Sequence, residues 1–313
     1  MKTFLGIMAL AMLSTAEAQD LKFGDLNYFL KSGQINAGAD LSIGNESLKR
    51  ENTGNIRVNG YFADAKVALG ILDSLTGFVK LQYQYEVDTE LKTGSGSFNT
   101  TGLQNPQFGA TYRLLNQSSF GYNVDFGAVV GLKLMDRKVG SLTTQEDGDL
   151  LDPALSTRGE PRHKLEVNGR LGKKWNEANE FSILAGVIYH HESKYEDQEY
   201  NRDATIESSM DFKAGGYYQY RPVNEFMLGL GLTGIYVGEA KGENGANVKA
   251  TATSHLDFQA SFDAKYLVTE ALIFKFMMNQ DRRSDFEFET NSGDSKIEKR
   301  KSFNYGLGVD YLF

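Results

Sequence analysis

The last eleven residues of the chain, 303–313, read FNYGLGVDYLF and strongly restrict how they can fold. Successive side chains of an extended strand point to opposite faces. Phe303, Tyr305, Leu307, Val309, Tyr311 and Phe313 therefore share one face, and Asn304, Gly306, Gly308 and Asp310 share the other. The first face is apolar and aromatic up to the final residue. The second is polar or small. A strand of this kind must lay its apolar face against a protein core or against lipid.

The same alternation recurs upstream. Segments near 33–46, 55–71, 77–88, 103–114, 121–135, 164–175, 181–193, 204–220, 225–238, 250–267 and 271–288 read as strands, and the closing strand starts near Lys299. In the third, Val79, Leu81, Tyr83, Tyr85 and Val87 alternate with Lys80, Gln82, Gln84, Glu86 and Asp88. In the second, the apolar phase shifts near Gly60, which calls for a bulge. Short connections lie near 72–76, 115–120, 176–179, 221–224 and 268–270. Long ones lie near 47–54, 89–101, 136–163, 194–203, 239–249 and 289–298. Short and long alternate strictly, so one rim carries turns and the other carries loops.

A soluble sandwich would bury such faces between two sheets. Here nearly every strand has an aromatic-rich face opposed by Lys, Arg, Asp, Glu, Gln or Gly. An open sheet edge in lipid would leave backbone groups unpaired at a cost of several kcal/mol each. The expected fold is therefore all-β: a transmembrane antiparallel up-and-down β-barrel of about 12 strands, with 10 or 14 also compatible with an even count. Composition agrees. The 16 Tyr, 20 Phe and 33 Gly with only 4 Pro suit antiparallel strands. No later segment holds the roughly 20 consecutive apolar residues of a membrane helix. The absence of Cys excludes a disulfide framework, a thiolate metal site and a Cys nucleophile.

Residues 1–18 have a positive start at Lys2, a short apolar run and an Ala16-Glu17-Ala18 cleavage pattern, which reads as a cleaved secretory signal peptide. Residues 19–32 then form a periplasmic N-terminal leader, and 33–313 the barrel domain. Trp175, Phe181, Tyr220, Phe226 and Tyr266 flank short turns and form a turn-side aromatic belt with Tyr311 and Phe313; Tyr189, Tyr236, Phe288 and Phe303 lie toward the loops.

The terminal strand with its final Phe resembles the closing strand of Gram-negative outer-membrane β-barrels. The resemblance implies that Tyr311 and Phe313 belong to a closure and assembly signal read by the barrel assembly machinery. Residues 102–114, GLQNPQFGATYRL, and the later GLKL at 131–134 resemble a strand of outer-membrane transporters associated with phenol-degradation pathways, with Gln104-Asn105 where those have Gly-Asp. This implies a porin-like or transporter-like channel and no particular substrate. Comparable 12-stranded channels are commonly monomers.

On the polar faces the expected lumen-lining residues are Lys80, Gln82, Gln84, Glu86, Asp125, Lys133, Glu166, Arg170, His255, Asp257, Asp263, Lys265, Lys275, Asp281 and Arg283. Ionised groups facing a dry interior cost several kcal/mol unless paired, so this many imply water, paired ladders or both. Barrels of 8 strands fill with their own side chains, and those of 16–18 hold open channels. Twelve lie between. A narrow channel and a salt-bridged closed lumen both remain open.

The functional expectation is an outer-membrane, porin-like channel for passive diffusion of small hydrophilic solutes or ions. It needs no cofactor and no metal, binds no nucleic acid, and touches outer-membrane lipid and lipopolysaccharide. The acidic loop containing Glu146, Asp147, Asp149 and Asp152 reads as solvated. A non-conducting structural or adhesion barrel is the first alternative. The second is a lipid hydrolase, since His191 and Ser193 stand two apart at a strand end. Outer-membrane phospholipase A has such a pair, but here no supporting Asn or surrounding motif accompanies it, so the chain reads as a non-enzyme.

Overall fold

A computed structural model of the chain describes residues 21–50, 54–91, 97–133, 162–197, 202–243, 249–291 and 293–313. The strand segments are β1 (Ile35–Arg50), β2 (Gly54–Leu72), β3 (Leu75–Leu91), β4 (Ser97–Leu103), β5 (Gln107–Leu115), β6 (Asn123–Gly131), β7 (Lys164–Asn176), β8 (Asn179–His190) and β9 (Ser193–Asp197). They continue with β10 (Arg202–Ile206), β11 (Ser209–Val223), β12 (Phe226–Val237), β13 (Ala240–Glu243), β14 (Lys249–Ala252), β15 (His255–Thr269), β16 (Leu272–Arg283), β17 (Phe286–Thr290) and β18 (Gly293–Leu312). Short breaks split six staves of the wall, so β4 runs on into β5, β8 into β9, β10 into β11, β12 into β13, β14 into β15 and β16 into β17. The result is a closed antiparallel barrel of 12 staves.

Closure runs through the strand that ends the chain. β18 pairs with β1 from Asn36↔Leu312 to Ser47↔Lys301, and Phe313 N donates to Ile35 O at 2.7 Å. On the inner face this seam sets Gly against a polar partner: Gly38 faces Asp310, Asp40 faces Gly308, and Gly44 faces Asn304. A Cβ on Gly308 would stand 1.8 Å from Asp40 Oδ1, so the carboxylate occupies the space that glycine leaves. The small inner face of the last strand is thus partly filled by β1.

Leu232, Leu41 and Leu307 are 70%, 68% and 66% exposed, and Phe126, Phe258, Phe274 and Leu230 are likewise open on the outer wall. Soluble monomers rarely expose contiguous apolar patches beyond a few hundred Å². An uncovered surface of this kind is stable only in lipid. The buried side chains are largely polar, among them Asp25, Asn27, Lys174, Asp125, Gln117 and Asn123. This inside-out distribution is that of a membrane barrel. Among the described residues no helix is long and apolar enough to cross a membrane, and the one short helix, α1 (Gln117–Phe120), caps a turn between β5 and β6.

The tight turns Asp73-Ser74, Glu177-Ala178, Asn224-Glu225 and Glu270-Ala271 lie at one rim, with Phe313. At that rim Tyr220, Tyr266, Tyr311 and Phe313 face outward, whereas Phe181 is buried under the ring of Trp175, stacked at 5.1 Å. A register shift between Asn59 and Tyr61 supplies the bulge expected at Gly60.

The loop rim differs from expectation. Part of the sequence assigned to long connections is strand: β1 reaches Arg50, β4, β9 and β13 extend the wall, and β18 starts at Gly293 rather than near Lys299. Beyond the apolar band both faces meet water, so alternation disappears while ladder hydrogen bonds persist. The fourth expected strand, 103–114, is instead two segments separated at Gln104-Asn105-Pro106, because Pro106 has no N–H to give the ladder. The acidic loop around Glu146–Asp152 and the signal segment 1–18 lie outside the described residues.

Candidate functional site

Residues 21–34 enter the barrel from the turn rim and are held by staves all around it. The core of the anchorage is Asp25. Its carboxylate bonds to Lys174 Nζ of β7 at 2.9 Å and to the Arg221 guanidinium of β11. The Asp25 and Lys174 side chains are both 0% exposed and that of Arg221 only 7%. Asn27 is next. Its backbone N donates to Glu180 Oε2 of β8 at 3.1 Å, and its carbonyl accepts from Arg113 of β5 at 2.9 Å. Arg170 of β7 donates to Leu26 O at 3.4 Å, and the Phe29 ring lies 4.6 Å from the Arg113 guanidinium. Phe23 and Leu30 are buried, with Gly24 packed on Ile273 and Met227. Tyr28 donates to Gln34 Oε1 at 2.8 Å, and burial raises its phenol above the ordinary value, so it stays a donor.

Glycines make room for this segment. Gly70 of β2 exchanges backbone bonds with Gly33 and Gln34, and a Cβ there would stand 1.9 Å from Lys31 O. Backbone cannot swing aside as a side chain can. Gly70→Ala is therefore expected to weaken docking of the segment by about 1–3 kcal/mol, the usual cost of overpacking. Faster tryptic cleavage after Lys22 and Lys31 in the folded barrel would show it, and wild-type cleavage rates would refute it.

Above this segment the lumen is polar and mostly paired. Asp125 of β6, 2% exposed, accepts from Arg113 at 2.7 Å and Arg170 at 2.6 Å. Glu166 takes the Lys213 ammonium from two staves away and lies 3.6 Å from Lys164. Lys275 bridges Asp40 at 2.8 Å and Asp310 at 3.1 Å, and Asp257 accepts both Arg283 Nε and Nη2. Lys265 lies 3.5 Å from Asp263 and donates to Gln219 at 3.1 Å, while Asp281 accepts from Ser302 at 2.8 Å. His255 is stacked on Phe286 with ring centroids 4.5 Å apart. Gln104 donates to Gln84 at 2.6 Å, and Lys133 to Ser193 Oγ at 2.9 Å near the loop rim. The Glu86 side chain lies outside the described residues.

Space remains between these groups. A cavity of about 420 Å³ is bordered by Asp40, Asp64, Lys80, Gln82, Asn279 and Asn304, with Lys80 3.3 Å from Asp64. A second, about 300 Å³, sits directly on Phe29 and Leu30, next to Lys66, Phe78, Asp125 and Arg170. On the turn side, about 590 Å³ opens between Phe23, Lys31, Arg221, Glu225 and Thr269. Residues 21–34 stand between the last two.

The pair considered for catalysis is separated. Ser193 is buried and bonded by Lys133, whereas His191 is exposed and edge-on to Tyr189 on the outer side. On an unbroken strand two residues two apart would share a face, but here the strand breaks at His191-Glu192 and the parity resets. Among the described residues no cluster of three His, Asp or Glu side chains could hold a metal.

No family model matches the chain, and no curated protein matches it in sequence. Solved structures do match. An outer-membrane channel from Pseudomonas putida F1 superimposes with a TM-score of 0.59 at 13% identity, over 94% of this chain and all 100% of that one. The fold is that of outer-membrane channels. More distant likenesses are the NanC porin (TM-score 0.45, 12% identity, 86% of this chain and 98% of that one) and the toluene transporter TodX of P. putida (0.41, 8%, 92% of each). In this channel fold the residues that sequence parity did not single out are Asp25, Asn27 and Phe29. They belong to a segment without alternation. Lys174, Glu180 and Arg221, which receive it, do have inward parity at their strand ends.

Proposed function

We propose that the chain is an outer-membrane channel through which small hydrophilic solutes or ions diffuse passively, narrowed at its turn-side end by residues 21–34. The observation that supports this is the polar, partly empty interior. Charged groups that are already paired can face water without demanding a bound counter-ion, and the cavities beside Lys80 and Asp125 leave a hydrated route. In this reading the chain is a monomer, carries no catalytic group and uses no cofactor. The turn rim faces the periplasm, and the last strand with Tyr311 and Phe313 serves assembly.

Purified protein in planar bilayers is expected to show small, discrete conductance steps. Lys80 reaches the mid-lumen cavity of about 420 Å³ beside Asp64. Lys80→Glu should therefore shift the reversal potential in a salt gradient toward cation preference, because it replaces a lumen cation by a second acid. Silent bilayers would remove the channel reading, and an unmoved reversal potential would take Lys80 off the conduction path.

A further inference from the structure

We infer that the outer wall carries a specific site for a phosphorylated glycolipid of the lipid A type, formed by Arg282 and Lys301 beside a groove over β12, β15 and β16. Arg282 of β16 and Lys301 of β18 are directly opposite each other on neighbouring staves, and both are exposed. Their parity is outward, the same as Phe276, Leu307 and Tyr305. Like charges placed across a strand pair repel. Neither has an ion-pair partner among the described residues. The outward positions of β16 from Leu272 to Gln280, of β15 from Leu256 to Tyr266 and of β18 from Phe303 to Tyr311 hold no acid. Two cations set side by side, with no acid on the outward positions of these three staves from there toward the turn rim, make a receptor for an anion from outside the chain.

A groove shows which anion. Leu232, Gly234, Phe258, Ala260, Gln280 and Arg282 line an outward depression of about 360 Å³. Gly234 and Phe258 are in register, and Phe258 is in register with Arg282, so small and large residues leave a trough leading to the cation pair. The trough is apolar along its length and cationic at one end. That shape accepts an acyl chain whose headgroup carries phosphate, since guanidinium and ammonium bond phosphate oxygens strongly. The cations lie on the loop-rim side of the apolar band. With the loops outside the cell, as the channel reading has it, that side is the outer leaflet, where the phosphorylated lipid is a glycolipid with phosphate monoesters rather than a glycerophospholipid.

The test uses the full mature chain, folded in detergent and checked by heat-modifiable gel migration. Native mass spectrometry would follow retention of bis-phosphorylated lipid A, its enzymatically dephosphorylated form and cardiolipin. The expected result is retention of lipid A, with binding about tenfold weaker in the Arg282→Gln/Lys301→Gln double variant. The dephosphorylated form should bind as weakly to wild type as lipid A does to the double variant. Ala260→Phe, which fills the trough and keeps both cations, should also weaken retention, and Lys249→Gln, an exposed cation elsewhere, should not. Equal lipid A retention by wild type and double variant overturns the site. So does undiminished binding of the dephosphorylated form, or stronger retention of cardiolipin. Conductance measured in parallel in phosphatidylcholine bilayers keeps the two readings apart, since silent bilayers would strike the channel reading and leave the lipid result intact.

Discussion

Deletion of residues 21–31 is expected to raise single-channel conductance severalfold while the barrel still folds. The staves themselves do not need the segment. The closing ladder between β1 and β18 begins at Ile35, beyond the deletion, and every stave keeps its neighbours. What is lost is the chain that separates the cavity above Phe29 and Leu30 from the opening beside Arg221 and Thr269. With it gone the two become continuous. Lys174, Glu180 and Arg221 would then meet water rather than an empty apolar hole, so no uncompensated charge stays buried and the folding cost is small. Planar-bilayer recordings of the deleted and full-length proteins decide the matter, with heat-modifiable migration as the control for folding. Equal conductance in the two would mean that the limiting constriction lies elsewhere along the lumen.

The barrel itself was legible in the sequence, and for a definite reason. Where one face meets lipid and the other meets water, parity is enforced residue by residue, so Val79, Leu81 and Tyr83 had to point one way and Lys80, Gln82 and Gln84 the other. Turns, closure and the Gly60 bulge followed from the same rule. Legibility faded wherever that contrast stopped. Beyond the apolar band β9 and β13 are wet on both faces and read as loop, although their backbones stay in the ladder.

Inside the lumen parity gives direction and nothing more. It places Lys275 on the polar face, but that this ammonium bridges Asp40 and Asp310 depends on the closing of the last stave against the first, a contact between residues far apart in the chain. The same holds for Lys213 reaching Glu166 across an intervening stave. The N-terminal segment was the least legible part. It has no period of its own because it is neither strand nor helix, and it is positioned by single contacts of Asp25, Asn27 and Phe29 with side chains that come from four other staves. A composition of mixed polar and apolar residues with no alternation reads equally well as a tail in solution.

Asp25→Ala is expected to release the N-terminal segment more effectively than any other single substitution within it, and without unfolding the barrel. Removing this carboxylate leaves the fully buried Lys174 ammonium with the longer 3.7 Å contact to the exposed Glu177 carboxylate, and takes the ion-pair partner from the Arg221 guanidinium. Taking one partner from a buried ion pair costs about 3–5 kcal/mol, because the remaining charge is left without compensation. Here two cations lose the same partner. The barrel can escape that penalty cheaply, since the segment is tied to the wall by side-chain contacts and a short backbone ladder at Gly33 and Gln34, and undocking it lets water reach both cations. The penalty therefore falls on the local equilibrium of residues 21–32 and not on the global one. Hydrogen exchange should show lost protection at Asn27 and Tyr28, with β7 and β11 unchanged. Bilayer recordings should show openings to the level of the deleted protein. Asp25→Glu, which keeps the charge, should restore most of the wild-type behaviour. If Asp25→Ala instead lowered the urea midpoint of the whole barrel and left segment protection intact, the segment would be an integral part of the folded wall and not a dockable constriction.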